Sequence, residues 1–169
     1  MTEEFGFSYS QKSKLDSKDW EILEVLSQDG RLSVAAIARK TGLKREVVKY
    51  RLNRMVREKI ILRFLTMLNL PKVGYNLWGY VHIRFKDMTP KREKEFLEHV
   101  RNNANIIFAH TTLGAWDFGI EFFAKDPGHF YSLQKELKEK FSDIIKDFET
   151  GSFIDIVKIN YVPIPSDVK

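Results

Sequence analysis

The 169-residue chain is 43% hydrophobic, holds thirteen Phe and carries a net charge of +5, enough apolar bulk for one core or two small ones. The absence of Cys excludes a disulfide framework, a thiolate metal site and a cysteine nucleophile. No apolar run approaches the roughly 18–20 residues of a membrane span. The start, MTEEFGFSYSQ, lacks the basic and apolar stretches of a secretory signal, so a cytoplasmic protein is expected.

Residues 1–14 read as a tail. Phe5, Phe7 and Tyr9 alternate with small or polar residues, a strand-like spacing in a weak segment. A disordered extension is expected there, with a docked edge strand as the alternative. The first helix begins at Asp16 and runs to about Gln28, capped by Asp16 with Asp19 three residues on and Leu15 stapled to Trp20. Ile22, Leu23 and Leu26 complete its buried stripe. The same staple spacing recurs at Leu32/Ile37 around Ser33 and at Leu43/Val48 around Lys44, which predicts a compact three-helix unit.

Residues 33–41 put Val34, Ile37 and Ala38 on one face, and Gly42 suits the positive φ of a chain reversal. The next helix aligns Val48, Leu52 and Met55 toward the core and leaves Lys44, Arg45, Lys49, Tyr50, Asn53, Arg54 and Arg57 facing out. This is a helix-turn-helix pattern. Residues 39–63 contain ten Lys/Arg against two Asp/Glu, so +8, and the other 144 residues sum to −3. A local patch of that kind points to DNA, although a basic helix face can also be merely solvated. Lys44 stands at the cap position without a side-chain oxygen, and a cation there opposes the helix dipole. A DNA phosphate at that helix start would account for it.

Residues 60–75 read as a connector, punctuated by Pro71 and Gly74. Beyond it the pattern alternates strand, helix, strand, strand, helix, strand. Strands are expected at 77–86, 105–113, 116–124 and 152–162, with helices opened by Thr89-Pro90 and Asp126-Pro127. A two-residue turn at Gly114-Ala115 should join the middle strands. This βαββαβ order is the ferredoxin-like plan. It leaves one sheet face without helices, and Trp78, Tyr80, His82 and Phe123 alternate onto that face. So much aromatic surface calls for a cover, which favours a partner sheet and hence a homodimer.

The four His have neither an i, i+4 pair nor an acidic neighbour at ligand spacing, so no metal is expected. Neither a nucleophile elbow nor a phosphate-cradling Gly loop is present, and neither a catalytic site nor a cofactor is expected.

Leu15-Asp16, Asp19, Ile22-Leu23, Asp29-Gly30-Arg31, Ile37-Ala38, Gly42-Leu43, Val48, Arg51-Leu52 and Ile60-Ile61 together resemble the Lrp/AsnC transcription regulators. The likeness continues through Leu70-Pro71-Lys72-Val73-Gly74 to Gly114-Ala115-Trp116-Asp117. It departs at Lys59, where the family usually has Gly, and at Lys44, where it often has Ser. The resemblance implies an α+β protein with four parts. They are a tail (1–14), an N-terminal (winged) helix-turn-helix domain (15–59), a connector (60–75) and a C-terminal βαββαβ ferredoxin-like effector and oligomerisation domain (76–169). It also implies tetramers or octamers, and an amino-acid effector held by Gly114, Ala115, Trp116 and Asp117 where dimers meet. Asp117 could equally be a plain turn former.

The expected function is sequence-specific binding of double-stranded DNA. Arg45, Lys49, Tyr50 and Asn53 would enter the major groove, and Lys44, Arg54 and Arg57 would meet phosphates. A siroheme-decarboxylase-like enzyme on the same fold and an architectural DNA-compacting protein are the alternatives.

Overall fold

A computed structural model describes residues 13–165, so the tail residues Phe5, Phe7 and Tyr9 lie outside the described residues. The chain divides into two compact units, one of residues 68–156 and one of residues 13–67 with 157–165. The chain therefore passes between the units twice.

In the helical unit, α1 spans Ser17–Gln28, α2 Val34–Thr41 and α3 Arg45–Arg57. The Asp16 carboxylate accepts from the Asp19 amide at 3.0 Å, and Asp19 returns a bond to the Asp16 amide at 3.1 Å. This closes the first helix start as a capping box. Ser33 accepts from the Ala36 amide, and Gly42 ends α2 in the left-handed region at φ 70°. Ile22, Leu23, Ile37, Ala38, Val48 and Met55 form the core, and Leu15, Leu32 and Leu43 lean on it at the three expected staple positions. Val162, far along the chain, packs on the same core.

Asp19, read from sequence only as a capping partner, is fully buried. Arg51 Nη1 reaches its Oδ1 at 2.8 Å and Arg54 Nη2 its Oδ2 at 2.5 Å, so two turns of α3 are tied to the start of α1. Arg51 also bonds Asp16 at 2.7 Å. These bonds to Asp19 and Asp16 raise the Arg51 pKa above its ordinary value. Burial alone would raise the Asp16 pKa, but the Arg51 bond and the Asp19 amide outweigh it and leave a net lowering.

Past α3, Lys59 adopts the left-handed conformation at φ 55°. Ile60 and Ile61 amides both return to the Met55 carbonyl, at 2.8 and 3.1 Å. The turn at which the sequence resemblance implies Gly is thus made here by Lys, at a conformational cost of about 1 kcal/mol. Among the described residues no strand forms between α3 and the sheet, so no wing is present there. A 3-10 turn at Leu70–Val73, capped by Asn69 and closed by Gly74 at φ 88°, precedes the sheet.

The second unit runs β1 (Leu77–Phe85), α4 (Pro90–Asn102), β2 (Ile106–Thr111), β3 (Phe118–Ala124), α5 (Pro127–Lys140) and β4 (Ile145–Ser152). The strands lie in the order β2-β3-β1-β4, each neighbouring pair antiparallel, as the ferredoxin-like plan requires. Thr89 and Asp126 cap α4 and α5, each with Pro in the first turn. Phe96 and Val100 of α4 and Phe130, Leu133 and Leu137 of α5 bury with Val81, Ile83, Ile120 and Phe122 of the sheet. Gly79 makes room for α5, because a Cβ there would lie 2.3 Å from the Phe130 ring.

One strand differs from the sequence reading. The last strand is Ile145–Ser152 rather than 152–162. Its ladder with β1 runs from Ile83 opposite Phe148 to Gly79 opposite Ser152, and one further bond, from the Phe153 amide to the Trp78 carbonyl at 2.9 Å, follows before the chain leaves the sheet. The β-branched run beyond it stays without a ladder, and residues from Val157 group with the helical unit.

Removing the buried carboxylate by Asp19→Ala should cost about 3 kcal/mol, since it strands the Arg54 guanidinium and leaves Arg51 only Asp16. Urea unfolding of the helical unit checks this. Asp16 has its pKa lowered on folding, so its contribution is present above about pH 4 and is lost as the pH falls through the folded-state value. An acid titration of wild type against Asp16→Asn should show that difference vanishing at low pH.

Candidate nucleic-acid interface and the sheet-face loop

The helical repeat sets Arg45, Lys49 and Asn53 one above another along α3, with Tyr50 beside them. Lys44, Arg45, Lys49, Tyr50, Asn53 and Arg57 are all exposed. Among the described residues no carboxylate pairs with Lys44, Arg45 or Lys49, so their charge is available to a ligand. Arg57 has only a loose surface contact with Glu58 at 3.7 Å. Exposed Arg39 and Lys40 in the last turn of α2 add to the same electropositive hairpin.

Lys44 occupies the N-cap of α3 with extended backbone and makes no side-chain cap bond. The first amides of α3 are therefore unsatisfied by the cap residue and sit beside two cations, an arrangement suited to an anion.

Arg54 does not belong to the exposed row. Its guanidinium is spent on Asp19, its side chain is 22% exposed, and its Nε is buried without a partner. Placing it among phosphate-facing residues is therefore corrected. The helical repeat puts position 54 next to Met55 on the α1 side, and the sequence carried a missed signal in Asp19 itself, an acid beside the apolar stripe of α1.

On the sheet, the face away from α4 and α5 carries Trp78, Tyr80, His82 and Phe123, as expected, together with Phe108, His110 and Phe153. Trp78 packs edge-on to Phe123 and Phe153, Tyr80 meets Phe153 and His82, and His82 faces Trp116. Two glycines let these rings lie low over the sheet. A Cβ on Gly119 would meet the His110 ring at 2.6 Å, and one on Gly151 the Tyr80 ring at 2.5 Å. Phe108 is half exposed, and His110 keeps a buried Nδ1 without a partner. The sequence signal for Phe108 and His110 was their alternation along β2.

The loop bearing Gly114, Ala115, Trp116 and Asp117 is longer than the two-residue turn expected. It spans residues 112–117 and closes through the Thr112 amide on the Asp117 carbonyl at 3.0 Å. The Thr112 hydroxyl also bonds the Trp116 carbonyl. Asp117 Oδ2 accepts the Phe85 amide at 2.8 Å, holding the irregularity where β1 and β4 shift register at Arg84/Phe85. Arg84, which sequence reading passed over, clamps the loop. Its Nε and Nη2 donate to the Ala115 carbonyl at 3.0 and 2.5 Å, and its guanidinium lies 5.4 Å from the Trp116 ring centre. No cluster of three or more His, Asp or Glu that could hold a metal occurs among the described residues.

Residues 15–56 match the model of the AsnC-type helix-turn-helix domain. Over 140 residues the chain is 31% identical to the proline dehydrogenase transcriptional activator of Rhizobium radiobacter, covering 83% of this chain and 88% of that one. The fold is similar to an AsnC family transcriptional regulator from Agrobacterium tumefaciens, with TM-score 0.79, 24% identity, and coverage of 90% of this chain and 98% of that one. It is similar also to the transcriptional regulator NMB0573 of Neisseria meningitidis, solved as a complex with L-Met. There the TM-score is 0.78 and the identity 21%, over 89% of this chain and 97% of that one.

Because α3 starts without a side-chain cap, Lys44→Ser should stabilise the helical unit by about 1 kcal/mol. Denaturant midpoints of the two proteins measure it.

Proposed function

The chain belongs to the Lrp/AsnC family and is a DNA-binding transcriptional regulator, and we propose that it reads its operator with the exposed face of α3. Arg45, Lys49, Tyr50 and Asn53 reach base edges in the major groove, where Asn suits adenine and Arg suits guanine. Lys44 and Arg57 take phosphates, Lys44 beside the uncapped helix start. The observation that carries this reading is the row of unpaired cations on α3. The same row argues against the enzyme alternative, which has no use for it. Work on cytoplasmic DNA follows from this reading.

The open aromatic sheet face supports a homodimer. A second copy of this face would cover Phe108, Trp78 and Tyr80, and a two-fold dimer would set two α3 helices about 34 Å apart, one duplex turn. Higher assembly to a tetramer or octamer would build on that dimer. An amino-acid effector at Gly114, Ala115, Trp116 and Asp117 is the third part of the proposal, supported by the L-Met bound to the similar Neisseria regulator.

Footprinting on genomic fragments followed by titration tests the DNA reading. Lys49→Ala with Asn53→Ala should erase the preference for the operator over bulk DNA, each lost base contact being worth about 1–3 kcal/mol. Arg57→Ala should weaken all sequences alike and reduce the salt slope by about 1. A wild-type protein without preference for any fragment would instead point to DNA compaction. For assembly, Tyr80→Glu should shift the protein toward monomer in light scattering at micromolar concentration while leaving the circular dichroism of the subunit intact.

A further inference from the structure

The Asp117 carboxylate is a poor candidate for the ammonium partner of an amino acid, because one of its oxygens already holds the Phe85 amide at 2.8 Å. A different acid stands close to the same loop. Arg84 Nη1 meets Asp147 Oδ2 at 3.2 Å, while the other donors of the guanidinium hold the Ala115 carbonyl. Arg84 and Asp147 face each other across β1 and β4 on the open side of the sheet. Their side chains are 40% and 44% exposed in the single subunit.

We infer that the Arg84–Asp147 pair is the element that reads an amino acid at this loop, Arg84 taking the carboxylate and Asp147 the ammonium. The inference rests on the amino-acid reading proposed above. Its physical basis is complementarity. An ion pair of one guanidinium and one carboxylate is the mirror of a zwitterion, and insertion of the ligand replaces one charge contact by two. A pair this exposed is weakly bound in water, so opening it costs little, whereas hydrogen bonds from a guanidinium to a ligand carboxylate are charge-assisted. Arg84 stays anchored during the exchange because Nε and Nη2 remain on Ala115. Trp116 lies under the guanidinium and beside His82, whose ring centre is 6.0 Å away. Together they offer a flat wall to the ligand side chain. Asp117 then has the structural task of fixing the loop and the β1 irregularity.

The test is calorimetry on the full-length protein with the twenty L-amino acids. For the tightest binder it is repeated with the acid that lacks the amine and with the amine that lacks the carboxylate. Wild type should prefer the amino acid over both analogues by at least tenfold. Asp147→Asn should lose the preference over the acid, and Arg84→Gln the preference over the amine, with operator affinity unchanged in ligand-free protein. Amino-acid binding unaltered in both variants overturns the assignment while leaving the effector reading in place. So does a wild-type protein that binds the amine-free acid as tightly as the amino acid, a result that does not depend on either variant folding. No binding of any amino acid to wild type overturns the effector reading and this inference together.

Discussion

The buried carboxylate of Asp19 governs the helical unit. A charge removed from water is costly unless it is matched, and here it is matched twice from α3, by Arg51 at 2.8 Å and Arg54 at 2.5 Å. Those two bonds fix which face of α3 turns inward. Once positions 51 and 54 are directed at α1, the helical repeat obliges positions 45, 49 and 53 to face away from the core. The presentation of the proposed DNA-reading row thus depends on an ion pair on the inward side of α3. Apolar packing alone would allow α3 to rotate by part of a residue; hydrogen bonds with fixed geometry do not.

The sheet is shaped by a different device, the exchange of a Cβ for an aromatic ring. On the helix side Gly79 admits Phe130, and on the open side Gly119 admits His110 and Gly151 admits Tyr80. The first draws α5 close to the strands. The other two flatten the aromatic layer, which supports the proposed sheet-to-sheet dimer. Each glycine forgoes side-chain packing and some backbone order, and in return a large ring buries against the sheet.

At the end of that sheet, backbone and side chain share the work of holding one loop. Asp117 of the loop accepts from the β1 amide of Phe85 and Arg84 of β1 donates to the Ala115 carbonyl, so loop and strand each contribute a side chain to the other's backbone. The guanidinium of Arg84 also lies over the Trp116 ring at 5.4 Å, which joins the loop to the aromatic face.

The sequence by itself determined the three-helix order, the staples at Leu15, Leu32 and Leu43, the caps of α4 and α5, the ferredoxin-like sheet and the exposed identity of Lys44, Arg45, Lys49, Tyr50, Asn53 and Arg57. These are local matters of periodicity, capping and Pro or Gly placement, and neighbouring residues carry the information. Tertiary structure alone decided where Arg54 points, because its partner Asp19 lies 35 positions away and a charge on a helix gives no local sign of being paired. It alone ended β4 at Ser152, since the β-branched run that follows leaves the sheet and from Val157 groups with the helical unit. The same holds for Arg84: its contacts, Ala115 and Asp147, come from a loop and a strand 31 and 63 positions away. Periodicity reports which face a residue occupies, and only the folded chain brings to that face the groups it meets.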